Sequence, residues 1–64
     1  MKNRIREIRK KRGMKLSDLS RLVSISIAYL SDIERGNRPG GKKTLSRIAS
    51  ALGVSLDDLN VKAG

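Results

Sequence analysis

The chain has 64 residues, no cysteine and no histidine, and its 15 Lys and Arg against six Asp and Glu give a net charge of +9 and a pI near 11.0. That length makes one small domain, close to the lower limit at which core burial alone holds a chain folded. Without thiol or imidazole there is no disulfide, no thiolate metal site and none of the commonest nucleophile–base pairs.

Other classes fall on the same grounds. No apolar run approaches the roughly 18 residues of a membrane span, and the N-terminus lacks the apolar segment of a signal peptide. The expectation is a cytoplasmic protein with no membrane partner. Asp57 and Asp58 are adjacent, but helical neighbours point about 100° apart, so they mark a helix start better than a catalytic pair. No enzyme activity, cofactor or metal is expected. Charge speaks louder: Lys2, Arg4, Arg6, Arg9, Lys10, Lys11 and Arg12 face Glu7 alone within the first 12 residues. So basic a domain attracts polyanions, nucleic acid ahead of anionic membrane.

Leu, Ile, Lys and Arg dominate and the one aromatic is Tyr29, which favours helix over strand. Asn3 is placed to cap a first helix carrying Ile5 and Ile8, and Gly13 to stop it. A second helix is predicted from about Leu16 to Val23, with Leu19, Ser20 and Val23 as its inner stripe. Ser24 and Ile25 make a short turn. Ser26 caps a third helix that buries Leu30 and Ile33 and ends at Gly36. The segment NRPGG, residues 37–41, is loop chemistry. A fourth helix from about Lys42 carries Leu45, Ile48, Ala49 and Leu52 and ends at Gly53. Ser55 and Asp58 have the spacing of a capping box for a last short helix through Leu59. The expected fold is all-α, five helices in one domain over residues 1–60, with a frayed tail at 61–64. Helices this short depend on shared packing.

A very short turn between helices two and three is the spacing of a helix-turn-helix, whose second helix lies in a DNA major groove. With the segments IREIRKKRG, LSDLSRLVSIS, YLSDIERGNR and TLSRIASALGVSLDDL, the chain resembles the lambda-repressor/Cro-type helix-turn-helix family of bacterial and phage regulators. The resemblance runs from Ile5 to about Leu59. It is nearest in pattern to sporulation and biofilm regulators with YLSxIER in the third helix. It implies a compact five-helix DNA-binding domain and an ion pair between Arg9 and Glu34; the alternative for those two is solvated surface charge. The sequence departs from the family pattern in places. Ser24 stands at the turn position usually held by Gly, Lys15 where helix two is usually capped by Ser or Thr, and Leu16 at a position often held by a phosphate-gripping Gln. The usual proline at the start of helix four has moved to Pro39.

The resemblance places base reading on Ser26, Ile27, Ala28 and Asp32. Ile27 and Ala28 cannot form bidentate contacts with purines but can pack on thymine methyl groups, and Asp32 either accepts from a cytosine amino group or is repelled from the phosphate-lined groove. Phosphate binding falls to Ser17, Arg35, Arg38, Gly41, Lys42 and Lys43, with Lys10, Lys15 and Gly40 as weaker candidates. Gly40 and Gly41 either bring backbone N–H groups near a phosphate or simply loosen the loop. Val54 and Leu56 lie where relatives meet a twofold partner, or belong to the core. The implied function is a sequence-preferring, double-stranded-DNA-binding transcriptional regulator, a repressor acting as a homodimer. A competing reading takes Leu16, Leu22 and Ile27 as an apolar face for a protein co-regulator.

Overall fold

The computed structural model describes residues 3–59. The predicted tail at 61–64 and the domain limit at residue 60 lie outside the described residues. Four α-helices follow in chain order: α1 (Ile5–Lys11), α2 (Leu16–Val23), α3 (Ile27–Glu34) and α4 (Lys42–Leu52). The expected fifth helix is a single 3-10 turn, Asp57–Leu59. Its start is nevertheless held reciprocally: Ser55 N–H donates to Asp58 Oδ2 at 3.0 Å and Asp58 N–H donates to Ser55 Oγ at 3.3 Å.

One apolar cluster joins the elements. Ile5 and Ile8 from α1, Leu19 and Val23 from α2, Leu30 and Ile33 from α3, and Leu45, Ile48, Ala49 and Leu52 from α4 are buried together with Leu59. α2 packs against both α3 and α4, and α1 packs against α4. Arg4 N–H donates to the Leu59 carbonyl at 2.9 Å, which ties the two ends of the fold together.

All four helices end the same way. Just past each helix one N–H donates to a carbonyl five residues earlier: Met14 to Arg9, Ile25 to Ser20, Asn37 to Asp32 and Val54 to Ala49, at 2.9–3.1 Å. This closure needs a left-handed residue, normally glycine. Gly13, Gly36 and Gly53 supply it, but after α2 the position is Ser24, at φ 60° and ψ 42°.

The helix starts are less regular. Asn3 acts as expected at α1, though from one residue further out: its Oδ1 accepts from Ile5 N–H at 3.1 Å while its Nδ2 donates to the Ile33 carbonyl at 2.8 Å. At α2 the ammonium of Lys15 has no acceptor to offer, so only the Asp18 carboxylate contributes, taking the Lys15 N–H at 2.9 Å. Among the described residues no helix is long and apolar enough to cross a membrane.

Candidate nucleic-acid interface

The turn between α2 and α3 spans Ser24 to Ser26. Left-handed Ser24 reverses the chain, Ile25 tucks against the core, and Ser26 Oγ accepts from Tyr29 N–H at 3.0 Å to open α3. Leu30, Ile33 and Glu34 form the buried side of α3. The opposite side of its first turn is therefore open: Ser26 and Ala28 are exposed and Ile27 is 50% exposed. Three of the expected base-facing side chains thus share an unobstructed helix end. The fourth, Asp32, is half-buried, and its Oδ2 accepts from Arg38 Nε at 3.3 Å.

Cations flank this helix. Arg35 is exposed at the end of α3, with Nη2 donating to Ser31 Oγ at 2.9 Å. Lys42 and Lys43 are exposed in the first turn of α4 and make no ion pair among the described residues. That turn contains no acidic residue, so two ammonium groups stand at the positive end of the helix dipole. The placement is unfavourable in isolation and becomes favourable when an anion docks there. Gly41, at φ 76°, is exposed just ahead of it and would meet nothing if it carried a Cβ. Gly40 differs: it is buried, and a Cβ there would approach Ile33 Cδ1 to 3.1 Å. Its smallness serves packing under the loop, so it is not simple loop slack. Ser17 is half-buried at the start of α2, and Lys10 and Lys15 are exposed.

The platform beneath α3 is the Arg9–Glu34 pair. Arg9 Nε donates to Glu34 Oε2 at 2.7 Å, Nη2 donates to Oε1 at 3.2 Å, and Nη1 donates to the Met14 carbonyl at 2.8 Å. Both residues are buried. Every buried side-chain polar atom among the described residues has a partner. Above the pair, Asn3, Arg6, Leu16, Ser31, Arg35 and Asn37 line a shallow groove. Arg6 was not anticipated; its i, i+3 spacing from Arg9 was the available signal.

One expectation changes. Leu16 is half-buried and packs against the core, so among the described residues the large exposed apolar side chains are Leu22 and Ile27, and the three-residue face for a co-regulator is broken. Tyr29 packs partly against the core, and its hydroxyl donates to the Gly40 carbonyl at 3.3 Å. Val54 and Leu56 are half-buried against the core.

A short, left-handed turn between two packed helices, the second with an exposed first turn, defines a helix-turn-helix unit. The chain belongs to the helix-turn-helix family, whose model matches residues 5–59. It is 43% identical over 56 residues to the HTH-type transcriptional regulator DdrOP3 of Deinococcus deserti, covering 88% of this chain and 43% of that protein. It is 37% identical over 57 residues to the ImmF control region 10 kDa protein of Bacillus phage phi105, covering 89% of this chain and 63% of that protein. Among solved structures it is similar to the master regulator for biofilm formation SinR in complex with DNA. The TM-score is 0.80 at 33% identity, covering 89% of this chain and 92% of that one. The chain thus spans less than two thirds of the length of these two curated relatives.

Proposed function

We propose that this chain is a transcriptional regulator that binds double-stranded DNA, with the first turn of α3 in the major groove. The observation that carries the reading is the joint placement of an exposed α3 start and of Lys42 and Lys43, without an ion pair among the described residues, at the positive end of α4. Phosphate contacts from Lys42, Lys43, Arg35 and the Gly41 backbone fix the domain on the duplex, and base-edge contacts give preference. Ile27 and Ala28 favour thymine methyl groups. The likeness to SinR, whose structure is a complex with DNA, supports the same reading.

On this reading regulation is by occupancy of an operator, as a repressor, with no catalytic step. A homodimer on two half-sites about 10 base pairs apart would use the part-exposed Val54 and Leu56. The test is titration of a labelled duplex over a range of salt. The reading requires an affinity that falls steeply and linearly in log–log form; a chain that leaves duplex DNA unbound at low salt overturns it.

A further inference from the structure

The outward side of the first turn of α3 presents Ile27 and Ala28, which carry no hydrogen-bonding group, and the loop that follows the helix supplies one. Arg38 leans back over α3. Its Nε donates to Asp32 Oδ2 at 3.3 Å, and its guanidinium carbon stands 5.9 Å from the centroid of the Tyr29 ring. The ring is itself fixed, its hydroxyl donating to the Gly40 carbonyl. The two terminal nitrogens of Arg38 have no partner among the described residues. The guanidinium is therefore held by its inner nitrogen and one flat face, with its outer edge presented.

We propose that Arg38 reads a guanine in the major groove through its two terminal nitrogens, and that Asp32 is the positioning residue that aims it. The proposal rests on the DNA-binding reading above and names a specificity-determining pair within it. Two arguments favour guanine over backbone phosphate. A phosphate drawn to Arg38 would come within a few ångströms of the Asp32 carboxylate and be repelled by it. The ion pair carries little net charge but keeps its donors, which suits a neutral base edge. Guanine offers N7 and O6 side by side, and the planar fork of arginine matches two adjacent acceptors. Placement agrees: Asp32 lies one turn from Ala28 on the same outward side of α3. Lys42 and Lys43, which make no ion pair among the described residues, are left for the backbone.

The experiment is selection from a random duplex pool, with sequencing, for the native chain, Arg38→Ala and Asp32→Asn, each checked for folding by circular dichroism. Neither residue belongs to the core cluster. The native chain is expected to prefer guanine at one position beside that read by Ala28. Both variants should lose that preference, by about tenfold, and keep the others. Asp32→Asn should also bind random duplex at least as tightly as the native chain, because it removes a negative charge. If either variant weakens all duplexes alike with no change in motif, Arg38 is a phosphate contact and the proposal fails. If Asp32→Asn abolishes a G·C preference that Arg38→Ala leaves intact, Asp32 accepts directly from cytosine and the proposal fails. A native chain that binds no duplex overturns the DNA-binding reading itself, whatever the variants do.

Discussion

Arg9 grips Glu34 at two points from 25 residues away, and its remaining nitrogen closes on the Met14 carbonyl, so one side chain links α1, the loop after it and the end of α3. The pair sits on the buried side of the helix proposed to enter the groove, which makes it a fixture of orientation as well as of stability. Arg9→Ala or Glu34→Gln should destabilise the fold by about 3–5 kcal/mol, since either leaves a buried partner unmatched. Replacing both with apolar residues of similar volume should recover most of that loss. Urea unfolding of the single and double variants measures the difference, and equal losses in all three would remove the pair from this role.

Ser24 should be improvable. A serine at φ 60° carries the left-handed penalty that glycine escapes, while glycine adds entropy to the unfolded chain. The expected net gain for Ser24→Gly is about 0.5–1 kcal/mol, read as a higher denaturation midpoint with an unchanged slope.

Acid should loosen the last turn. The Asp58 carboxyl is held below its ordinary value of 3.8, first by the backbone N–H of Ser55, then by the Ser55 side chain, with a smaller contribution from Arg4. A depressed folded pKa means stability that is present above the unfolded value and lost as pH falls through the folded one. Loss therefore begins below about pH 4. Asp58→Asn should flatten that part of the stability–pH curve while leaving the curve above pH 5 parallel to the native one, as followed by thermal melts.

Lys42 and Lys43 should act on all duplexes alike. Neutralising both is expected to weaken specific and random DNA by the same factor and to reduce the log–log salt slope by about 2. An unchanged affinity would take the phosphate contact away from the start of α4.

Much of the fold was legible because it is written locally. Gly13, Gly36 and Gly53 end helices through bonds that span six residues, Ser26 caps α3 from three residues away, and the i, i+3, i+4, i+7 pattern of Leu45, Ile48, Ala49 and Leu52 needs only the helical repeat. Contacts set by tertiary placement were not legible. The Asn3 amide reaches the Ile33 carbonyl across 30 residues, and Arg12 Nε donates to the Leu52 carbonyl at 3.0 Å across 40. Neither has a local pattern.

The interface follows the same division. The exposed start of α3 can be inferred from which of its residues face the core. The tie between Asp32 and Arg38 cannot, because it depends on how residues 37–41 fold back, and Gly40 packing on Ile33 decides that. Leu16 misled for a related reason: a helix's first residue faces in or out according to its neighbours, and here α1 and α3 stand beside it.

The most direct measurement is amide chemical-shift mapping of the 15N-labelled chain titrated with duplex DNA. An α3 seated in the major groove requires the largest changes at Ile27 and Ala28, with a second group at Gly41, Lys42 and Lys43, and little at the Val54–Leu59 end unless dimerisation accompanies binding. Changes confined to α1, with its crowd of Arg and Lys, would contradict it and leave a basic helix that holds polyanions without presenting α3 to them.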